Sequence, residues 1–309
     1  MAQKEEITER NVRFRNQLAA LGKGEILEKE PLCKHTSFDI GGPADFFIRP
    51  RTEQEMVAVV RLTRACGLPL MVIGRGTNLL VADGGVRGVV LDLSLACRQL
   101  EVCSGGVLVG AAVSIKELLD FCLCRELGGL EFMAGIPGSL GGAIRVNAGA
   151  WGKSIGELVD VVRGYDFPGQ AISLESSRLH FCYRQSNLAE DVIITEAELM
   201  LSPALSEVIK KQMEEFQRRR LSQPWDQKSA GSVFKNPPGA TAGKLIEESG
   251  CKGLRIGGAE VSLKHANFII NRGGATASEV KELIEKVQGK VKRRFGVKLE
   301  TEILLVGEE

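Results

Sequence analysis

A glycine-rich stretch near the middle of the chain constrains the fold more than any other feature. Residues 134–149 read AGIPGSLGGAIRVNAG, with glycine at positions 135, 138, 141, 142 and 149. Glycine permits positive φ and lacks the Cβ that keeps a ligand away from the main chain. The stretch therefore predicts a loop that presents main-chain N–H groups, which suit the phosphates of a bound ligand.

A second glycine loop, residues 73–80 with the sequence IGRGTNLL, follows the apolar run 70–73. It begins like a dinucleotide fingerprint, but Leu79 stands where the third glycine belongs, which disfavours a Rossmann loop. The segment ending in Lys153 and Ser154 resembles the end of a P-loop, but Asn147 replaces its first glycine. Glycines also form simple tight turns, yet two such loops favour one large phosphate-bearing cofactor between them.

Composition bounds the class of protein. The 309 residues allow two or three domains, and the net charge of +1 indicates neither a nucleic-acid nor a membrane partner. The charged N-terminus has no apolar core of a signal peptide, and the apolar runs are too short to span a bilayer. Eight dispersed cysteines and three histidines show no metal-ligand spacing. We therefore expect a cytoplasmic protein with reduced thiols and no metal site.

Hydrophobic periodicity and capping signals predict an α+β fold. Helices are expected from the charged N-terminus to Gly22 and over 53–66, 115–127, 206–221, 241–249 and 278–295. Strands are expected at 45–49, 69–73, 86–92, 100–103, 107–111, 158–166, 192–200, 254–256, 267–270 and 299–306. The order of these elements predicts three domains: two lobes for the cofactor, 1–92 and 93–202, and an appended domain, 203–309.

Seven segments, in this order along the chain, carry a resemblance to a known family. Together they resemble the UDP-N-acetylenolpyruvoylglucosamine reductases, flavoproteins of bacterial peptidoglycan synthesis. The segments are HTSFDIGGPAD (35–45), GRGTNLLVADGGVRG (74–88), AGIPGSLGGAIRVNAGAWG (134–152), YRQS (183–186), AGSVFKNP (230–237), GGAEVSLKHANFIIN (257–271) and LETEI (299–303).

The resemblance implies non-covalent FAD in a two-lobed fold of the vanillyl-alcohol oxidase type, followed by a C-terminal α+β substrate-binding domain. In that fold loops rather than a Rossmann helix hold the pyrophosphate, which agrees with the incomplete dinucleotide fingerprint. The cofactor-binding residues it implies are Ile73, Gly74, Arg75, Gly76, Thr77, Asn78, Leu79, Ile136, Pro137, Gly138, Ser139, Gly141, Gly142, Ala143, Asn147 and Gly149.

The implied reaction reduces UDP-N-acetylglucosamine enolpyruvate to UDP-N-acetylmuramic acid. NADPH reduces FAD, flavin N5 passes hydride to C3 of the enolpyruvyl group, and C2 is protonated. Carried over from the family, Arg184 stabilises the carboxylate, Ser232 donates the proton, and Glu302 assists at the carboxylate in its protonated form. Glu300 is a competing candidate, because alternate residues of a strand share one face.

The implied substrate contacts are Gln223, Lys235, Asn236 and His265. The 48 positions from Arg184 to Ser232 leave no room for the tyrosine-bearing loop of one subclass, so the chain resembles the shorter subclass. NADPH and the UDP-sugar are expected to use one cleft in turn, in a monomeric enzyme. The role of Arg145 stays open.

Two other functions compete with this interpretation. One is an oxidase of the same fold acting on a sugar or alcohol, which oxygen consumption would reveal. The sequence shows no catalytic histidine pair for it, and Ser232 with Glu302 suits protonation better than alcohol deprotonation. The other is a flavin-binding protein without turnover, which the presence of suitable side chains at all three reactive positions disfavours.

Overall fold

The fold was analysed in a computed structural model, which describes residues 2–21 and 24–309, with side chains from 9–19 and 24–309. The chain forms two compact units, each built from three segments. The first unit comprises Met1–Glu28, Asp45–Gly74 and Arg87–Arg218. The second comprises Lys29–Ala44, Arg75–Val86 and Arg219–Glu309. The predicted boundaries at 92/93 and 202/203 stay a prediction.

The described part of the chain contains seven α-helices and twenty short strands. The helices are α1 (Ala2–Leu21), α2 (Glu53–Ala65), α3 (Ile115–Cys124), α4 (Leu140–Arg145), α5 (Ser206–Arg219), α6 (Ala242–Glu248) and α7 (Ala277–Phe295). The strands are β1 (Glu25–Pro31), β2 (Pro43–Arg49), β3 (Leu70–Ile73), β4 (Leu79–Val81), β5 (Val86–Asp92), β6 (Leu100–Cys103), β7 (Gly106–Gly110), β8 (Leu127–Gly128), β9 (Gly149–Ala150), β10 (Lys153–Ser154), β11 (Val159–Tyr165), β12 (Ala171–Glu175), β13 (Phe181–Cys182), β14 (Gln185–Ser186), β15 (Ile193–Met200), β16 (Ser202–Pro203), β17 (Arg255–Ile256), β18 (Ala259–Val261), β19 (Ile269–Asn271) and β20 (Leu304–Val306).

Most residues of the two larger sheets belong to the first unit. A four-stranded sheet has the order β1-β2-β5-β3, with β3 and β5 parallel. A five-stranded antiparallel sheet has the order β12-β11-β15-β7-β6. One apolar core joins helix and strand residues of this unit, among them Phe14, Phe46, Leu118, Phe132 and Ala197.

The second unit is smaller and draws its core from all three of its segments. The strands β17, β18 and β19 form an antiparallel sheet, while β20 pairs in parallel with β4. Phe38 and Leu80 pack in the same core as Phe234, Ile246 and Leu283. Residues distant in sequence therefore stabilise one another inside this unit.

Capping signals placed the helix starts well. Ser114 forms the predicted capping box with Glu117 at the start of α3, and Thr52 caps α2. The predicted end of α3 at Leu127 was wrong, because Leu127 and Gly128 leave the helix to pair with β16. The predicted end of the first helix, Gly22, lies outside the described residues.

The predicted last strand, 299–306, was too long. Only Leu304–Val306 pairs as a regular strand, with β4. Before it, Thr301 forms a single bridge to Phe234 instead of a continuous ladder. Across the described ranges, no helix is both long and apolar enough to cross a membrane.

Candidate active site

Gly74, the last residue of the first glycine stretch that belongs to the first unit, lies next to Ser139 of the second stretch. A Cβ added to Gly74 would stand 2.6 Å from the Ser139 hydroxyl oxygen, so a larger residue there would require the serine side chain to move. The second loop is also held to the start of α3, because the Ile115 N–H donates to the Gly138 carbonyl over 3.1 Å. Gly74, Gly135 and Gly142 are exposed, as a surface that binds a ligand through backbone groups requires. The prediction of a loop over the whole second stretch was wrong, because Leu140–Arg145 forms the helix α4.

Residues 75–79 of the first glycine loop belong to the second unit. Gly76 has φ 60°, and a Cβ there would stand 2.0 Å from the His35 carbonyl oxygen. The Ser37 N–H donates to the Gly76 carbonyl over 3.1 Å. The protein's own backbone therefore requires glycine at 76, a reason that the sequence alone does not distinguish from room for a ligand.

Asn147 connects the second glycine loop to the segment that carries Arg184. Its buried side chain donates to the Cys182 carbonyl over 2.8 Å and accepts from the Gly156 N–H over 3.0 Å. The side-chain amide of this predicted cofactor residue thus binds the main chain of two segments, at Cys182 and at Gly156. Its direct role toward a cofactor stays a prediction.

Arg184 lies in the turn of the hairpin formed by β13 and β14. Its φ is 56°, in the left-handed region that a non-glycine residue adopts at a cost. The guanidinium carbon lies 5.2 Å from the ring centroid of Tyr183. Five other described non-glycine residues share a positive φ, and at Arg184 the short turn between β13 and β14 accounts for it.

Arg145 anchors the segment that follows this hairpin, a role the sequence analysis left open. Its guanidinium donates to the carbonyls of Leu188 over 3.2 Å, Ala189 over 2.7 Å and Val192. Burial lowers the pKa of this guanidinium. The Ser186 hydroxyl donates to the Arg145 carbonyl over 2.8 Å. In the sequence, this anchoring role was indicated only by the presence of a charged residue among small and apolar neighbours.

The second unit brings Ser232 and Glu302 into adjoining segments, beside the first glycine loop. The Glu302 N–H donates to the carbonyl of Val233, the residue after Ser232, over 2.7 Å. The Asn78 side chain donates to the Glu302 carbonyl over 3.2 Å. Ser232 itself forms a β-bridge with Phe268. Two predicted catalytic residues and one predicted cofactor residue therefore share one hydrogen-bonded cluster.

Glu300 differs from Glu302 in its surroundings. The Glu300 side chain is 74% exposed, and its carboxylate lies 3.8 Å from the Lys235 ammonium. The side chain of Glu302 is partly buried. Lys235, a predicted substrate residue, also donates its main-chain N–H to the Glu300 carbonyl over 2.9 Å.

Three more predicted substrate residues also lie in the second unit. The Asn236 side chain accepts from the Ala242 N–H over 2.9 Å, at the start of α6. The buried Oε1 of Gln223 has no hydrogen-bond partner among the residues that the structure describes. His265 Nδ1 accepts from the Asn267 N–H over 3.3 Å, and burial lowers the His265 pKa. A neutral ring accepting at Nδ1 carries its hydrogen on Nε2, which is therefore a donor.

Comparison with known proteins first defines the class. Residues 44–167 match the family model described as FAD binding domain. Residues 223–306 match the one described as UDP-N-acetylenolpyruvoylglucosamine reductase, C-terminal domain. The chain is thus an FAD-dependent oxidoreductase with an additional C-terminal domain. The exposed glycine main chain of the first unit fits such a cofactor.

Relatives along the full length narrow the class to a family. The UDP-N-acetylenolpyruvoylglucosamine reductase of Moorella thermoacetica is 45% identical, over 93% of this chain and 95% of the relative. That of Caldanaerobacter subterraneus is 45% identical, over 94% and 96%. The crystal structure of the Thermus caldophilus reductase is 35% identical, with a TM-score of 0.79 over 92% of this chain and 98% of that one. The chain belongs to the UDP-N-acetylenolpyruvoylglucosamine reductase family.

These matches confirm the predicted family, the FAD cofactor and the fold class. The fold is α+β, with an FAD-binding domain followed by the family's C-terminal domain. They do not address the individual site residues, which stay predictions.

Proposed function

We propose that this protein reduces UDP-N-acetylglucosamine enolpyruvate to UDP-N-acetylmuramic acid, a precursor of peptidoglycan, with NADPH as reductant. Family membership supports the reaction, since the full-length relatives carry its name. The observation that carries the assignment to this chain's residues is the cluster in the second unit. There the segments of Ser232 and Glu302 are joined by a 2.7 Å main-chain hydrogen bond and touch Asn78 of the glycine loop.

Bound FAD would supply the hydride that adds to C3 of the enolpyruvyl group. We assign its binding to the two glycine-rich stretches, residues 73–79 and 136–149, the second of which includes helix α4. Their glycines and exposed main chain can approach a diphosphate closely, and Gly74 of the first stretch lies next to Ser139 of the second within the first unit.

Hydride addition leaves negative charge on C2, and this charge spreads into the attached carboxylate. A permanent cation with a planar fork of donors stabilises such a group best, which is the role we assign to Arg184. The hairpin turn presents Arg184 between β13 and β14, and the YRQS motif that it shares with the family supports the assignment.

Protonation of C2 completes the reaction. We assign the proton to the Ser232 hydroxyl, and we assign Glu302 to the carboxylate as a neutral hydrogen-bond donor. An ionised Glu302 would repel the growing charge. The main-chain hydrogen bonds around both residues hold their segments in place before substrate binds, as electrostatic stabilisation of a transition state requires.

Recognition of the sugar nucleotide falls to Gln223, Lys235, Asn236 and His265 in this proposal. A neutral His265 with its hydrogen on Nε2 offers a donor, and the unpartnered Gln223 oxygen offers an acceptor. Lys235 adds a cation suited to a phosphate. NADPH and the UDP-sugar would occupy one cleft in turn.

The eight cysteines are all free thiols, which favours a reducing compartment. We therefore assign the protein to the cytoplasm, where the nucleotide precursors would be handled, and expect a monomer. Sedimentation equilibrium at micromolar protein concentration tests whether the protein is a monomer.

The deciding experiment follows the visible absorbance of the purified protein without oxygen. We expect a yellow protein that bleaches with NADPH alone and recovers its colour when UDP-N-acetylglucosamine enolpyruvate is added. Excess substrate should slow the bleaching if both ligands use one cleft. Colour that returns only with air would identify an oxidase, and a protein that bleaches with neither reductant nor substrate would have no turnover of this kind.

A further inference from the structure

A buried amide lies next to the segment of Ser232. The Asn267 side chain is 5% exposed, and both of its polar atoms bind the main chain of Phe234. The Phe234 N–H donates to Asn267 Oδ1 over 3.0 Å, and Asn267 Nδ2 donates to the Phe234 carbonyl over 2.8 Å. One side chain thus satisfies both main-chain polar groups of a single residue.

The main chain of Asn267 adds two more contacts. Its carbonyl accepts from the Val233 N–H over 2.8 Å, and its N–H donates to His265 Nδ1. Asn267 therefore connects the segment after Ser232 with a predicted substrate residue. The hydrogen bond from Glu302 to the Val233 carbonyl holds the same segment from the other side.

The paired hydrogen bonds between the Asn267 side chain and Phe234 restrict the segment more than a single bond would. A single hydrogen bond allows a segment to turn about it, whereas two bonds to one residue fix both its position and its orientation. The two atoms of a buried amide reproduce the pairing that a neighbouring strand would give. The bridge of Ser232 to Phe268 continues the pairing to the proposed proton donor.

We infer that Asn267 is a positioning residue for Ser232, an inference that rests on the proposed function. The Asn267 side-chain amide holds the Ser232 segment through Phe234, and the Asn267 main-chain carbonyl holds it through Val233, without contact to the reacting atoms. Since displacement of a reacting group by about 1 Å can slow a reaction by about 10²-fold, loss of this hold should slow proton transfer by about that factor.

The test substitution is Asn267→Asp, which keeps the acceptor for the Phe234 N–H and replaces the donor that faces the Phe234 carbonyl. Asn271→Asp is the matched control. The Asn271 side chain also donates to main-chain carbonyls, of Phe38 and Asp39, and accepts from main-chain N–H groups. Both variants lose one amide donor to a main-chain carbonyl and gain one carboxylate in the same unit, at a buried position for Asn267 and a partly buried one for Asn271.

Four quantities are measured for each protein: FAD content, Tm, the rate of bleaching by NADPH, and the rate of colour recovery with the enolpyruvyl substrate. We expect Asn267→Asp to slow colour recovery about 10²-fold and to change bleaching by less than about twofold. Asn271→Asp should lower Tm and leave the ratio of the two rates unchanged. In a Ser232→Ala background, Asn267→Asp should slow colour recovery no further, because the positioned hydroxyl is gone.

Three results for Asn267→Asp would each overturn the positioning role. It could slow bleaching and colour recovery equally, its ratio of the two rates could match that of Asn271→Asp, or its effect could add in full to that of Ser232→Ala. If Asn267→Asp fails to retain FAD, Asn267→Ser, whose hydroxyl can still bind one Phe234 group, is measured by the same criteria. A wild-type protein that never recovers colour with substrate, or Ser232→Ala recovering at the wild-type rate, overturns the proposed function and with it this role.

Discussion

Glu300 and Glu302 lie two positions apart near the C-terminus, but their side chains have different surroundings. Strand alternation predicts that Glu300 and Glu302 share a face, but residues 299–303 form only an isolated bridge, so alternation does not apply there. Main-chain groups of both residues bind the 233–235 segment, but the Glu300 side chain faces solvent beside Lys235, whereas Glu302 is partly buried. The family resemblance selected Glu302, and its partial burial supports that choice.

Substitution of the two glutamates tests this difference. We expect Glu302→Ala to slow colour recovery with substrate about 10²- to 10³-fold, the usual loss when a donor to a developing anion is removed. Glu302→Gln should lose less, because a neutral amide still donates a hydrogen bond. Glu300→Ala is the matched control and should stay within about threefold of wild type, since exposed ion pairs contribute little. Stopped-flow absorbance measures all three, and a larger loss from Glu300→Ala would reverse the assignment.

Local signals in the sequence determine most element boundaries, but not the contacts that join distant elements. Serine and threonine caps located the starts of α2 and α3. The start of α7 was placed near Ser278, while its capping box is formed by Thr276 and Glu279. Asp83 also caps the start of α7. The sequence could not predict this cap, because nearly two hundred positions separate Asp83 from Ala277. The same limit applies to Arg145, whose three carbonyl partners lie more than forty positions away.

Asp83 makes the start of α7 sensitive to pH. Its carboxylate accepts from the N–H groups of Ala277 over 2.8 Å and Ser278 over 3.0 Å, and from the Ser278 hydroxyl. Burial by itself would raise the Asp83 pKa, but these hydrogen bonds outweigh it and hold the pKa below its usual value. Asp83 therefore stabilises the folded protein above the unfolded pKa of about 3.9, and this contribution is lost as pH falls through the lower folded pKa.

We expect Asp83→Asn to lower the free energy of unfolding by about 0.5–1 kcal/mol at pH 7, in the lower range for a helix cap because the carboxylate is exposed. The difference from wild type should shrink as the pH drops below 4. Urea unfolding at several pH values measures it. Glu282→Gln, which removes an exposed ion pair with Lys286 on the same helix, should show a smaller effect at pH 7. A difference for Asp83→Asn that is constant with pH would contradict the carboxylate cap.

At the scale of the whole molecule, the sequence identified the fold class and the C-terminal domain, but the segments that build each core were not predictable. Motif order and the resemblance indicated the FAD-binding fold, and the family matches confirmed it. Periodicity reveals which residues are apolar, and it does not reveal with which distant residues they pack. In the second unit, Phe38, Ile40 and Leu80 enter a core otherwise built from residues after 219.

The composition of that core predicts the behaviour of the C-terminal segment in isolation. Residues 203–309 lack Phe38, Ile40 and Leu80, each at most 2% exposed in the full chain, and β20 loses its partner β4. At about 1.5–3 kcal/mol for each buried side chain, the three together contribute roughly 5–9 kcal/mol. That equals much of the total stability of a typical domain. We therefore expect the isolated segment to show weak near-ultraviolet circular dichroism and no cooperative thermal unfolding, while the full chain under the same buffer shows both. A sharp sigmoidal transition of residues 203–309 alone would instead establish the boundary predicted from the sequence, and would mean that the upstream apolar residues add to a core already sufficient to fold.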